Sequence, residues 1–443
     1  MKRALAVFAL CCITSFANAA TRNNDDSCDI AVMPAATLLL PYFEVDLQSY
    51  PPGEMTLFTI TNVTPEEQIA HVTLWTDWSY PVVSFNIYLT GYDQQPINLF
   101  DVLARGWVAP YLGTGTDVSA VGDFSIHNQR LDLTDCDEIP GEIPESVVRR
   151  MQMAFTTGLI QTSDACMKPV GGQHKNAIGY ATIDVVRSCT TGNPTTPGYL
   201  TNDILWDNAL TGDYQQISQR TNHAEGGPMV HIRAVPEGGT AAQRRNMPES
   251  YQISSHRTFY SRFLPANMHT IDGRQPLPSL FAAHWIYANY ENEFKTKFKI
   301  WREALTGSDA QCGDYAKNVA PIVEATVFDE DENPEGVAEP WFDLEILFYL
   351  PSTSMIGIED HTVFPYATAG AFAGWVYLNL NTKSKDDTFA RQAWVITSLR
   401  AWGNLSVDTD ALALGNGCTP PLGKSEVSTN SGITIGPAPD VNP

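Results

Sequence analysis

Trp75, Asp77, Trp78 and Tyr80 stand within six residues of one another, in Trp-Thr-Asp-Trp-Ser-Tyr. Those residue types suit sugar recognition. An aromatic ring stacks on the C–H face of a pyranose, and a carboxylate accepts its hydroxyls. Read as a strand, the segment places Trp78 and Tyr80 on one face and Trp75 on the other. The plain alternative is packing, because aromatics fill much of any β-sandwich core. A second set, Asp329, Asp331 and Asn333, spaces oxygen ligands at alternate positions, as a calcium loop does. Pro334 stands where an EF-hand needs glycine and Pro340 where it needs glutamate, so an EF-hand is excluded. A looser calcium site, or a solvated acidic turn, fits the same residues. Calcium is the one cofactor the pattern admits.

Two further patterns fail. His223, Glu225 and His231 carry metal-ligating groups, but Gly226-Gly227-Pro228 between them forbids the helix that an HExxH site requires. A coincidence of loop and strand is the simpler reading. The stretch ending Gly423-Lys424-Ser425 has one residue too many between its glycines for a phosphate loop, and it contains Pro420-Pro421. Neither a Gly-x-Ser-x-Gly elbow nor a dinucleotide-binding glycine loop occurs. No catalytic residue is assigned, and nothing marks out a glycosidase carboxylate pair.

The elements that must position these residues read mainly as strands. Val83, Phe85, Ile87 and Leu89 alternate with Ser84, Asn86 and Tyr88, which predicts a strand with one buried face. Residues 56–62 and 71–77 alternate similarly, joined across Pro65-Glu66-Glu67. Shorter strands are expected at 181–186, 203–207 and 229–235. In the second half, Lys295, Lys297 and Lys299 alternate with Thr296, Phe298 and Ile300. That spacing predicts a strand with an exposed lysine face that discourages edge pairing. Residues 322–328, 343–350, 375–380 and 393–399 add further strands. Pro144, the spacing of Val147, Val148, Met151 and Phe155, and Gly158 predict one helix over 144–158. A short helical turn is expected at 98–104.

The N-terminus sets the compartment. Lys2 and Arg3 precede an apolar run to Phe16, and Ala17-Asn18-Ala19 is a small-x-small cleavage signal. The run is too short for a membrane anchor. Six cysteines follow it: Cys28, Cys136, Cys166, Cys189, Cys312 and Cys418. An even count in an exported chain reads as disulfides, although spacing cannot choose their pairing. Bridges confined to each half would pair Cys312 with Cys418. The chain holds 27 basic residues, two of them in the leader, against 50 acidic ones, for a net charge of −23. Such a charge repels nucleic acid and anionic membranes.

These readings organise the chain as residues 1–19, a signal peptide; 20–238, a first β-sandwich module with a helical insertion near 144–158; 255–418, a second module; and 419–443, a disordered tail. The fold class is mainly β: two β-sandwich modules, Ig-like or jelly-roll-like, with a few short helices. Thr56-Leu57-Phe58-Thr59-Ile60 is echoed by Thr296-Lys297-Phe298-Lys299-Ile300, which suggests two modules of one design. The stretch 37–46, with 56–62 and 85–93, resembles the opening module of a group of exported bacterial proteins of unknown function. The resemblance covers roughly the first hundred mature residues. It implies a β-sandwich and an envelope location, and it carries no site residues. The expected function is a non-catalytic structural, adhesive or binding role in the periplasm or outside the cell. The expected partner is a glycan or another envelope protein. A carbohydrate-active protein using Trp75–Tyr80 and a calcium-dependent module are the alternatives.

Overall fold

The structure, a computed structural model, describes residues 30–108, 143–160, 169–220, 222–234, 258–263, 272–288, 294–305, 314–335, 348–364, 371–382, 391–401 and 405–414. The chain is mainly β. Its first nine strands are β1 (Thr37–Val45), β2 (Glu54–Asn62), β3 (Gln68–Thr76), β4 (Pro81–Leu89), β5 (Gln94–Asn98), β6 (Ala177–Val186), β7 (Leu210–Ser218), β8 (His223–Pro228) and β9 (Val230–Ile232). They form a five-stranded sheet, β4-β3-β6-β1-β9, and a four-stranded sheet, β5-β2-β7-β8. In β2 the alternation works as the sequence predicts: Thr56, Phe58, Ile60 and Asn62 are buried and their neighbours half-buried. In β1, Pro41 lacks an N–H, and the ladder to β6 shifts register between Leu40 and Phe43.

The later strands are β10 (Leu280–Ala288), β11 (Phe294–Arg302), β12 (Ala320–Asp329), β13 (Pro334–Glu335), β14 (Tyr349–Leu350), β15 (Thr353–Gly357), β16 (Ala373–Thr382), β17 (Ala393–Ala401), β18 (Leu405–Asp410) and β19 (Leu412–Ala413). They make one sheet in the order β13-β12-β16-β10-β11-β17-β18, with β14 on β12, β15 on β11 and β19 on β10. Helix α1 (Glu145–Thr157) begins after Pro144 and ends at Gly158, whose φ of 66° suits the left-handed helix stop. Its Phe155 packs edge-on against Phe43 at 5.4 Å. The short helical turn falls at Asp101–Arg105.

Two local expectations are corrected. The segment 203–207 is not a strand. The chain makes a π-helical turn over Tyr199–Asp203 and touches the sheet through one bridge, Ile204 to Val186. Gly198, at φ 91°, starts that turn, and the Thr190 hydroxyl donates to Asp203 at 3.0 Å. The lysine strand is not an edge. β11 lies between β17 on one side and β10 with β15 on the other. Of the expected strand at 343–350, residues 343–347 lie outside the described residues, as do the leader, residues 239–254 and the 419–443 tail.

The sheets share one continuous hydrophobic cluster. Trp301 of β11 meets Tyr180 of β6 edge-on at 6.0 Å and stacks on Phe259 at 5.5 Å. The amides of Ser352 and Thr353 donate to the Asp77 carbonyl at 2.8 and 3.1 Å. The Thr353 hydroxyl donates to the Pro41 carbonyl at 2.6 Å. A buried arginine ties the ends of the later strands. Arg302, fully buried, donates from Nε to the Leu380 carbonyl, from Nη1 to those of Ala320 and Leu350, and from Nη2 to that of Pro321 and to the Thr382 hydroxyl, at 2.8–3.4 Å. Among the described residues, no helix is long and apolar enough to cross a membrane.

Candidate functional site

The densest set of interacting charges sits where the four-stranded sheet meets β11, β17 and β18. Register places it. Glu225 stands opposite Gln216 of β7, Lys299 opposite Ile396 of β17, Arg400 opposite Ser406 of β18, and Asp408 opposite Ser398 of β17. Lys299 Nζ lies 2.8 Å from Glu225 Oε1 and 2.6 Å from Asp408 Oδ2. Arg400 Nη2 donates to the same Glu225 oxygen at 2.5 Å. The Ser398 hydroxyl donates to Glu225 Oε2 at 2.5 Å, and the Tyr214 hydroxyl to Asp408 Oδ2 at 2.9 Å. The ammonium also lies over the Tyr214 ring, 5.5 Å from its centre. Side-chain exposure is 1% for Lys299, 0% for Glu225, 2% for Asp408 and 19% for Arg400.

Two cations and two anions cancel in this quartet. Burial alone would raise the Glu225 pKa, but Lys299 and then Arg400 hold it down to about 2. Asp408 moves the other way: burial raises it, outweighing Lys299. Burial also raises the Tyr214 phenol, and the Asp408 charge adds to that. An acid and a base with pKa values pushed apart resemble a proton-transfer pair. Here, however, both carboxylates are shut in and bound to one ammonium, so the arrangement acts as an electrostatic lock between sheets. A buried carboxylate left without its cation would be costly.

The lock has a signed pH dependence. The folded-state pKa of Glu225 lies below its ordinary 4.5. Its contribution is therefore fully present above pH 4.5 and is lost as pH falls from there through about 2. Asp408, raised when folded, instead favours the fold as it takes up its proton, so mild acid does not open the lock. The expected result is that the urea-midpoint gap between the native protein and Glu225→Gln stays constant from pH 7 to about 5 and shrinks below 4.5. A gap that collapses already between pH 7 and 5 would contradict the pairing.

A second buried network surrounds Asp184. Thr37 donates to it at 2.5 Å, Tyr199 at 2.8 Å and Tyr260 at 2.9 Å, with Arg274 Nε at 3.7 Å. All five side chains are buried, and the network binds β1 and β6 to Tyr199, Tyr260 and Arg274.

The residues singled out in the sequence lie elsewhere. β3 ends at Thr76, and Asp77-Trp78 form a turn, so 75–80 is not one strand. Trp75 is 1% exposed; it stacks on Tyr180 at 5.7 Å, and its indole N–H donates to Thr182. It is part of the hydrophobic core. The Asp77 carboxylate is buried, accepting from the Gly172 amide at 2.9 Å and lying 3.0 Å from His174 Nε2. Trp78 and Tyr80 are half-buried, and Tyr80 packs edge-on against Tyr315 at 5.1 Å. Asp329 closes the β12–β13 turn. It accepts from the amides of Asp331 and Asn333 and from the Asn333 side chain, bonds that lower its pKa. Among the described residues, no group of three His, Cys, Asp or Glu side chains is placed to hold a metal ion. His223, Glu225 and His231 accordingly do not converge: Glu225 serves the quartet, and His231 Nε2 accepts from the Gly212 amide at 3.2 Å. Cys189 is buried; Cys28, Cys136, Cys166, Cys312 and Cys418 lie outside the described residues.

Sequence reasoning missed Lys299, Arg400 and Asp408. Alternation defines the two faces of β11, but it does not say that one lysine is covered while its neighbours are less so. Comparison of the chain with protein families, with curated proteins and with solved structures finds no match.

Proposed function

We propose that this chain is an exported, non-catalytic β-protein with a structural, adhesive or binding role at the cell envelope. The observation that carries the reading is the quartet. Its strongest charges face inward and tie strands of the two halves together, as a rigid scaffold requires and an open reaction site does not. The leader of residues 1–19 supports the location. So does Cys189, which is disulfide-bonded, as suits an oxidising compartment. The resemblance of 37–46, 56–62 and 85–93 to exported proteins points the same way. The role is played in the periplasm or outside the cell, with a glycan or another envelope protein as partner.

The reading is tested by producing the full chain, with its leader, in a bacterium with two membranes. Intact-mass measurement of the envelope fraction should find a chain that begins at Ala20, with Cys189 refractory to alkylation. A chain that keeps Met1, stays in the cytoplasm and offers Cys189 to alkylating reagent would overturn it.

A further inference from the structure

A polar row crosses the first sheet. Asn86 of β4, His71 of β3, Asp184 of β6 and Thr37 of β1 stand opposite one another in turn, and all four are buried. Both ring nitrogens of His71 are engaged. Nδ1 lies 2.7 Å from the Asn86 side-chain oxygen, and Nε2 lies 2.7 Å from the Gly192 carbonyl oxygen.

Both of these partners are acceptors. The Gly192 carbonyl has no proton to give. The Asn86 amide is oriented by Thr190: its Nδ2 donates to the Thr190 carbonyl at 2.9 Å, and the Thr190 amide donates to its Oδ1 at 3.4 Å. Turned over, the side chain would set oxygen against the Thr190 carbonyl and donors against the Thr190 N–H. A neutral imidazole donates from one nitrogen only, so its bare nitrogen would face an oxygen at 2.7 Å. An imidazolium donates from both.

The surrounding charge suits a cation. Asp184 accepts from the Thr37, Tyr199 and Tyr260 hydroxyls, as a carboxylate does. Asp184 and Asp272 share one guanidinium, that of Arg274. A proton on His71 supplies the second cation. Among the described residues, the titratable groups facing the ring are Asp184 on β6 and Tyr199 and Asp203 of the 199–203 turn. Arg274 and Tyr260 lie beyond Asp184. Burial, the largest influence, works to lower the pKa of His71, while Asn86, Asp184, the Gly192 carbonyl and Asp203 work to raise it. The acceptor pair decides the state. Losing the proton would give up a charge-assisted hydrogen bond and press two lone pairs together.

We propose that His71 is held as a buried imidazolium that latches residues 190–193 onto β3 and β4, and that the latch opens when the ring loses its proton. The latched segment hangs on few bonds. Gly192 is held through His71, Thr190 through Asn86, and the Thr190 hydroxyl donates to Asp203 at 3.0 Å. The direction is opposite to that of Glu225. A ring that keeps its proton when folded has a pKa above the unfolded 6.5. Its contribution is therefore complete below pH 6.5 and is lost as pH rises through the folded value.

The test is a pH titration of the full chain carrying nitrogen-15 in its histidine rings, followed by nuclear magnetic resonance. Asn86→Asp identifies the ring, because a carboxylate beside Nδ1 should carry the His71 midpoint about one pH unit or more higher. In the native chain that ring should bear protons on both nitrogens at pH 6.5 and titrate above it. Hydrogen exchange supplies the second readout. Protection of residues 190–193 relative to β6 should fall about tenfold or more across the His71 midpoint, the worth of one hydrogen bond from a charged donor. In His71→Gln that ratio should not vary with pH. Should His71→Gln fail to fold, the native chain and Asn86→Asp still decide the matter. A His71 ring with one bare nitrogen at pH 6.5, no ring moved by Asn86→Asp, or relative protection of 190–193 that holds across the midpoint would each overturn the proposal.

Discussion

Lys299→Met is expected to destabilise the protein by about 3–5 kcal/mol, enough to leave much of a typical domain unfolded. The substitution keeps an unbranched side chain of similar length in place, so the loss is one of charge, not of volume. Glu225 retains Arg400 and Ser398. Among the described residues Asp408 retains only the Tyr214 hydroxyl, in a site that already raises its pKa. It must then either stay charged without a cation or take up a proton to fold. The matching double variant, Lys299→Met with Asp408→Leu, should recover about half or more of the loss, because an apolar replacement of a buried pair is far cheaper than a broken one. Urea unfolding at pH 7 measures both. A loss under 1 kcal/mol for Lys299→Met, or a double variant worse than the sum of its parts, would show that the ammonium is not sealed between the sheets.

Arg302→Lys should cost about 3 kcal/mol or more, although charge and size are nearly kept. Arg302 is fully buried, and burial, with Arg391 nearby, pushes its pKa well down. Its solvation comes from four backbone carbonyls and the Thr382 hydroxyl, spread over the ends of β12, β14 and β16. A guanidinium has five donors in a fixed fork and can reach all of them at once. An ammonium has three donors on a point and cannot. Two of the five acceptors, at least one of them a carbonyl, are then stranded, each at a cost of roughly 1–3 kcal/mol. Hydrogen exchange would locate the damage: amides paired to Leu380 and its neighbours should lose protection before those of β1 and β6. A lysine variant within 0.5 kcal/mol of the native protein would mean that the carbonyls are satisfied by something other than Arg302.

Much of this architecture was legible because its determinants are local. The alternation of Thr56, Phe58, Ile60 and Asn62 gave β2 its inner face, and Pro144 with Gly158 bracketed α1. The strands missed had weaker local marks. Ala224-Glu225-Gly226-Gly227-Pro228 reads as a loop, yet it runs as β8 because β7 supplies a full antiparallel partner. The site was less legible, because its pairs are distant in the chain. Glu225 and Arg400 are 175 residues apart, and Lys299 and Asp408 are 109 apart. No periodicity within β11 separates the sealed Lys299 from Lys295 and Lys297. Trp75 misled for a related reason: residue type states what a side chain can do, while its neighbours decide whether solvent reaches it.

The most direct measurement is scanning calorimetry of the full chain at pH 7. If inward-facing charges weld the two halves, the protein should melt in one transition whose calorimetric and van't Hoff enthalpies agree. Two resolved transitions, at positions that Lys299→Met leaves unmoved, would mean that the halves unfold independently and that the quartet locks nothing.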